Sequence, residues 1–162
     1  MRTVVIALLM ATTAFAVRAQ TPPDPASFAN SAQVKATIAS MAREIKPGED
    51  MLYRPLLTQA PYTVAIEYWA RPKQAAAHLT EAELLYVLEG SGVLVSGGAL
   101  TDRHHWYGET DGGRIEGGTT RPLKPGDVVL VPEGVPHWFG IHGGKLVMLT
   151  MHMPRPIAGA AK

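Results

Sequence analysis

Residues 126–137 of this chain read GDVVLVPEGVPH, and this stretch is the most specific structural signal in the sequence. A turn containing glycine opens it, an apolar run follows, and a second turn with proline and glycine ends in His137. An apolar run bounded by such turns predicts a short strand, here Asp127–Val131. The stretch fits the pattern G-x-x-x-x-x-P-x-G-x-x-H in full, so a histidine follows a strand and a turn at fixed spacing.

Similar β-rich runs, punctuated by glycine and proline, lie on both sides of this stretch. The predicted strands are Thr63–Ala70, Glu83–Leu88, Val93–Ser96, Asp127–Val131, His137–Ile141 and Leu146–Met153. Glu89–Gly92 is interpreted as a tight hairpin, because glycines adopt positive φ easily. Residues 97–122 are interpreted as a long irregular loop, either a lid or a mobile connection. Short strands joined by turns and not by helices predict an all-β antiparallel sandwich or barrel.

One helix is predicted ahead of the strands. In Ser31–Ile45 the apolar residues recur every three or four positions, which is typical of an amphipathic helix, and Ser31 or Asn30 could cap its start. The predicted organisation is a signal peptide over 1–19, a flexible tether over 20–30, the helix and a connection over 31–59, a β-barrel domain over 60–155, and a tail over 156–162.

The first residues have the features of an export signal. A short positive start is followed by the apolar run Val4–Val17, and small residues near Ala19 favour cleavage after it. The run is shorter than the ~20 residues that span a bilayer, so a membrane anchor is the weaker interpretation. We therefore expect a periplasmic or secreted protein with no membrane association after cleavage.

Charge and composition exclude several classes of partner. The 162 residues include 15 basic and 14 acidic ones, and cleavage would remove Arg2 and Arg18, leaving a net charge of −1. Without a basic block, nucleic acid is not an expected partner, and a small molecule is. The chain has no cysteine, which excludes disulfides and thiolate chemistry.

The quoted stretch resembles the second conserved motif of the cupin superfamily. The first motif is matched upstream by His78-Leu79-Thr80-Glu81-Ala82-Glu83, and the resemblance covers roughly residues 60–153. It implies a cupin-type double-stranded β-helix, a jelly-roll-like barrel, with a divalent transition metal held by His78, Glu83 and His137. Imidazole and carboxylate ligands suit Fe, Mn, Ni, Cu or Zn.

Strand alternation supports this pocket independently of the resemblance. Glu83 shares a face with Leu85 and Val87, and His137 shares one with Phe139 and Ile141. A polar residue that leads an inward apolar row needs a partner to offset its desolvation, and a metal ion is such a partner.

The sequence departs from the family at one ligand. Cupins usually carry H-x-H before the glutamate, and Ala76 stands where the first histidine belongs. The site is therefore either an open three-ligand site or a decayed one. A displaced ligand, His104, His105 or His152, is a third option, although surface placement is the more ordinary expectation for these histidines and for His142. His105 is the preferred exception.

Two main functional classes fit the sequence. The first is a metal-dependent enzyme on a small organic molecule, oxygenase-like or else an isomerase or lyase, with His104, His105 and Tyr107 as candidates for substrate contact or proton transfer. The second is a non-catalytic module that binds or senses a small molecule. A structural or storage barrel is a minor option.

Several apolar residues are expected to be structural. Trp69 and Trp138 are predicted to be core or interface residues. Leu84, Tyr86 and Leu88 form an outer apolar row, which needs cover from the N-terminal helix or from a second subunit. A homodimer is therefore predicted.

Overall fold

The computed structural model describes residues 26–155, so the predicted signal peptide, the first half of the tether and the C-terminal tail lie outside the described residues. Its elements, in chain order, are α1 (Ser31–Glu44), β1 (Met51–Gln59), β2 (Tyr62–Trp69), β3 (Ala75–His78), β4 (Glu81–Ser96), β5 (Ala99–Tyr107), β6 (Thr110–Glu116), β7 (Thr119–Leu123), β8 (Val128–Val131) and β9 (His137–Pro154). The all-β prediction with one N-terminal helix is confirmed. Within the described part, no helix is long and apolar enough to cross a bilayer.

The barrel is built on two long strands, β4 and β9, which pair antiparallel along most of their length. β4 pairs through its first half with β8 and through its second half with β7. On the other side of β9 the hydrogen-bonded order continues through β2 to β1, and through β3 to β6 and β5. Both long strands therefore take part in several pairings, and they bring distant parts of the sequence into one interior.

The helix α1 forms as predicted and packs on the outside of the barrel. Asn30, not Ser31, caps it, because the Asn30 side chain and Gln33 exchange hydrogen bonds in a capping box. Its buried residues Ile38 and Met41 join a cluster with Ile66, Tyr68 and Val147 of the sheet, and Leu88 packs against that cluster. The helix thus covers one end of the outer apolar row.

The predicted hairpin at Glu89–Gly92 is wrong, because the two runs beside it form the single strand β4. The glycines serve a different purpose there. A Cβ at Gly90, whose φ is +81°, would lie 2.1 Å from the carbonyl oxygen of Lys145. Gly90 lets β9 approach closely at a point where the register of the two strands shifts.

The prediction of an irregular loop over residues 97–122 is also wrong, because this segment forms β5, β6 and β7. Residues of β5 are largely exposed, so the strand shows no alternation of apolar and polar side chains. Glycines with positive φ, Gly108 and Gly117, form the turns between these strands. The connection after α1 likewise contains a strand, β1, that the sequence did not indicate.

The interior core lies between the two long strands. Leu85, Val87, Phe139 and Met148 are buried in it together with Trp69, which confirms the structural role predicted for that tryptophan. The predicted alternation in β4 is confirmed, since its odd-numbered residues from 83 to 87 are buried and Tyr86 is exposed. This alternation points Glu83 into the barrel.

Candidate metal centre

Three strands bring the predicted ligands together inside the barrel. His78 ends β3, Glu83 lies near the start of β4, and His137 begins β9. All three are buried, at 8%, 3% and 4% exposure. One ligand atom from each lies within 4.8 Å of the other two, so they form a compact group that could hold a metal ion.

The distances within this group suit a shared ion. Glu83 Oε2 lies 3.2 Å from His137 Nε2 and 3.7 Å from His78 Nε2. Ligand atoms that each lie ~2.1 Å from one ion are separated by about 3 Å at right angles and by about 3.4 Å in a tetrahedron. The distance to His137 therefore matches the spacing of neighbouring ligands, and the distance to His78 is about 0.3 Å longer than the tetrahedral spacing.

Each candidate ligand is oriented by a second hydrogen bond. His137 Nδ1 lies 3.2 Å from the carbonyl oxygen of Val135, to which it donates, and His78 Nδ1 shares a hydrogen bond of 2.9 Å with Thr110 Oγ1. Thr150 Oγ1 donates to Glu83 Oε1 over 3.0 Å. Such outer partners fix ring orientation at metal sites and leave the inner nitrogens free to bind.

Glu83 carries the strongest evidence for a cation. Burial alone would raise its pKa, but the imidazoles of His137 and His78 outweigh burial and hold the pKa of Glu83 well below its usual range. Within residues 26–155, its buried Oε2 has no hydrogen-bond partner. A buried, ionised carboxylate is costly unless protonated imidazoles or a metal ion face it, and the ligand set fits a divalent transition metal.

His137 responds to the same carboxylate. Burial by itself would lower its pKa, but the neighbouring Glu83 outweighs that effect and raises it. A proton and a metal ion therefore compete for the same nitrogen, and acid weakens metal binding.

Glu67 is a site residue that the sequence analysis missed. It is buried on β2, and its Oε2 accepts a hydrogen bond of 2.8 Å from Trp69 Nε1. Burial and the nearby charge of Glu83 raise the pKa of Glu67 from 4.5 to about 8. A signal was present in the sequence, because Glu67 is the only charged residue in the predicted strand Thr63–Ala70.

His152 also lies at the site, although surface or edge placement was the main expectation for it. Its Nε2 is 3.7 Å from Glu83 Oε1, and its ring packs against the ring of His78 with centroids 4.6 Å apart. Glu67, Glu83 and His152 form a second group that could hold a metal ion. The displaced-ligand option therefore has a structural counterpart on β9.

The other candidates occupy different positions. His104 and His105 are exposed on β5, and His142 is exposed on β9. These positions agree with the expected surface placement and not with the displaced-ligand role for which His105 is the preferred candidate. Tyr107 is different, because it lines the cavity above the metal group. That cavity is lined by Met51, Glu67, Trp69, Lys73, Gln74, Ala76, His78, Glu83, Trp106, Tyr107, His137, Trp138 and Phe139.

Ala76 leaves space in this cavity. It is buried in β3, directly beside His137 in the neighbouring strand. A methyl group lines the wall at the position where the resemblance places a fourth ligand. The alanine that replaces the usual histidine therefore lies in the wall of the cavity that contains the three candidate ligands.

Comparison with protein families identifies the barrel. The cupin family model matches residues 74–150, which include both motifs and all three candidate ligands. This match confirms the resemblance to the cupin superfamily over that part of the chain. The predicted cupin-type fold is therefore confirmed.

Several solved structures share this fold at low sequence identity. TT1209 from Thermus thermophilus has a TM-score of 0.50 at 18% identity, over 72% of this chain and 95% of that chain. The cupin domain of Schizosaccharomyces pombe Cnp3 has a TM-score of 0.50 at 12% identity, over 70% and 71%. Iron(II) HppE in complex with substrate has a TM-score of 0.50 at 16% identity, over 67% of this chain and 53% of that chain. These likenesses show the fold alone. Comparison with curated proteins found no match.

The raised pKa of Glu67 predicts a specific dependence of stability on pH. Between pH 4.5 and about 8 the folded chain keeps a proton on Glu67 that the unfolded chain has lost. This residue's contribution to the free energy of unfolding therefore falls as pH rises through that range. In metal-free protein, the free energy of unfolding of Glu67→Gln minus that of wild type should increase by roughly 1 to 3 kcal/mol from pH 5 to pH 8.5. Urea unfolding at each pH measures this difference.

The matched control is Glu116→Gln, which removes an exposed carboxylate on β6. It should follow the wild-type pH profile. An unchanged profile in Glu67→Gln would show that Glu67 is ionised in the folded protein.

Proposed function

We propose that this cupin is a metal-dependent enzyme that acts on a small organic molecule, with oxygenase-like chemistry first and isomerase or lyase chemistry next. The observation that supports the proposal most directly is the buried Oε2 of Glu83, which faces one imidazole nitrogen each from His137 and His78 in the lining of a cavity. Two histidines and one carboxylate are the ligand set of open, reactive metal sites.

In this proposal His78, Glu83 and His137 hold the metal. A bound ion would supply Lewis acidity toward a substrate oxygen or, if redox-active, the chemistry of oxygenation. Thr110, Val135 and Thr150 keep the ligand side chains in place, since each bonds the ligand atom that faces away from the centre. The preformed geometry limits the reorganisation that binding requires.

Glu67 has the properties of a proton reservoir in this enzyme. Its carboxyl group lines the same cavity as the ligands, and with a pKa of about 8 it holds a proton at neutral pH. An acid whose pKa lies near the working pH is effective in proton transfer. We propose that Glu67 gives or takes a proton at substrate bound beside it.

Export bears on the identity of the metal. A protein that folds outside the cytoplasm meets copper and zinc, which bind nitrogen and oxygen ligands more tightly than iron or manganese. Iron, manganese or nickel would require delivery or kinetic trapping. The donor set itself fits all five metals.

The second candidate function is a non-catalytic module that binds or senses a small molecule. Ala76 favours it, because the wall beside His137 offers a methyl group where a fourth ligand usually stands. Barrels often hold ligands without transforming them. Metal content separates the two functions.

Metal content should depend on the three ligands individually. His78→Ala, Glu83→Gln and His137→Ala should each weaken metal binding by at least about 100-fold, since loss of an outer partner alone costs about 10- to 100-fold. Elemental analysis of the purified mature protein, followed by zinc titration, measures this. His142→Ala, an exposed histidine on the same strand as His137, is the matched control and should keep full metal content.

Two results would contradict the metal enzyme. A wild-type protein free of metal in every preparation, and unable to take up zinc, iron, manganese, copper or nickel, supports the binding module. A metal that all three variants retain shows that other residues hold it.

We propose that two copies associate through the outer face of β4 and β8. Tyr86, Val128 and Leu130 there are 41%, 66% and 60% exposed, and α1 covers only the Leu88 end of the row. Within residues 26–155, β8 pairs with β4 alone, and an exposed apolar edge favours association. Sedimentation velocity should give a dimer for wild type and a monomer for Leu130→Lys.

Tyr62→Lys is the control for this association. It changes another exposed aromatic residue, at the turn between β1 and β2, and should leave the dimer intact. A wild-type protein that stays monomeric at high micromolar concentration contradicts the proposal.

We further propose that the chain is exported to the periplasm or the medium, on the basis of the N-terminal sequence pattern. After expression in a bacterium, mass spectrometry of the periplasmic fraction should give a chain that begins at Gln20. An unprocessed chain retained in the cytoplasm overturns this assignment.

A further inference from the structure

A second cavity shares most of its lining residues with the cavity that contains the metal group. This outer cavity has a volume of about 310 Å³ and is lined by Met51, Tyr53, Glu67, Lys73, Trp106 and Tyr107. Five of these residues also line the inner cavity that contains His78, Glu83 and His137. The two cavities therefore adjoin, and a molecule in the outer one lies beside Glu67 and next to the metal group. We call the outer cavity the aromatic mouth.

One cation stands in the aromatic mouth. Lys73 Nζ lies 5.6 Å from the centroid of the Trp106 ring, within cation–π range. Its backbone is held, because Trp138 Nε1 donates to the Lys73 carbonyl oxygen over 2.6 Å. In the described part of the chain no carboxylate forms an ion pair with Lys73, whereas Lys145 of β9 pairs with Glu89 over 2.6 Å. The ammonium group of Lys73 is thus available to a ligand.

The walls around this cation are aromatic or apolar. Trp106 and Tyr107 pack edge to face with ring centroids 5.0 Å apart, and Met51 and Tyr53 from β1 also line the mouth. Aromatic and thioether walls favour a flat apolar body, and the single ammonium favours one negative charge. A phosphate dianion would leave one charge unmatched, since Lys73 is the one basic residue among the described residues that line the mouth. The volume is at the small end of ligand pockets, roughly 300 to 1,000 Å³, which suits a single ring.

We propose that the ligand of this site is a small aromatic carboxylate, bound with its carboxylate on Lys73 and its ring against Trp106, so that its far end faces Glu67 and the metal group. This inference deepens the proposed function and rests on it for the chemistry, but not for the binding. Lys73 and Trp106 act as binding residues. The inner cavity has a volume of about 40 Å³, so the ring stays in the aromatic mouth and only the substituent at its far end can approach the three metal ligands.

Benzoate, benzamide and cyclohexanecarboxylate test this inference on the mature protein. Benzamide removes the charge of benzoate and keeps its shape, and cyclohexanecarboxylate keeps the charge and removes the aromatic face. Isothermal titration calorimetry, on metal-free and on zinc-loaded protein, should give benzoate the highest affinity of the three in both forms. Lys73→Met should weaken benzoate about tenfold, leave benzamide unchanged and leave zinc content unchanged.

Two further variants test the contacts with Lys73 and Trp106 separately, and a third is a control. Lys73→Arg should retain most of the affinity for benzoate, because it keeps the charge. Trp106→Leu should weaken benzoate more than cyclohexanecarboxylate, because only benzoate has an aromatic face to lose. Lys35→Met changes an exposed lysine of α1 and should match wild type in every titration.

The outcomes separate this inference from the proposed function. Equal binding of benzoate and benzamide, or benzoate binding that Lys73→Met leaves unchanged, overturns the inference. Benzoate binding that requires zinc and ignores Lys73 also overturns it, and places the carboxylate on the metal. A protein that binds no metal yet loses benzoate on Lys73→Met refutes the proposed enzyme and supports the inference.

Discussion

The buried carboxylate of Glu83 is the constraint on which the rest of the interior depends. An ionised group at 3% exposure is destabilising unless every oxygen meets a donor or a cation. Thr150 donates a hydrogen bond to Oε1, whereas Oε2 faces imidazole nitrogens of His137 and His78 and, among residues 26–155, no hydroxyl or amide donor. The long pairing of β4 with β9 places Thr150 and His137 around this carboxylate, so the same contacts that close the barrel also define the centre.

The sequence predicted most of what depends on local pattern. The strand β8 and the turn before His137 follow from adjacent residues, and the inward row of Glu83 follows from strand alternation. Glu67 and His152 depend instead on which strands become neighbours. β2 and β4 flank β9, and this non-local pairing alone brings both side chains toward Glu83. His78 is predicted as a ligand from the family resemblance alone, because no local sequence pattern determines its distance from Glu83 in the folded chain.

Glycine accounts for the main errors in the predicted strands. A glycine permits a turn, a bulge or a close contact between strands, and the surrounding letters do not distinguish these roles. Gly90 belongs to the third kind, since the backbone of Lys145 occupies the space of its missing side chain. At β5 the difficulty is the reverse, because most residues of this strand are exposed and its sequence therefore carries no periodic signal. Both errors concern connections, and the interior row stayed correct.

Ala76 changes what surrounds the metal group without disturbing the barrel. A small side chain at this position keeps the pairing of β3 with β9, because the backbone of Ala76 lies opposite His137 whatever the side chain is. The wall that a fourth imidazole would line is shared with Glu67. A metal ion bound as proposed would therefore have three protein ligands, with the carboxyl group of Glu67 in the lining of the same cavity. A site of this kind would combine space for a bound molecule with a group whose raised pKa suits proton transfer, and acid-base chemistry at a metal requires both.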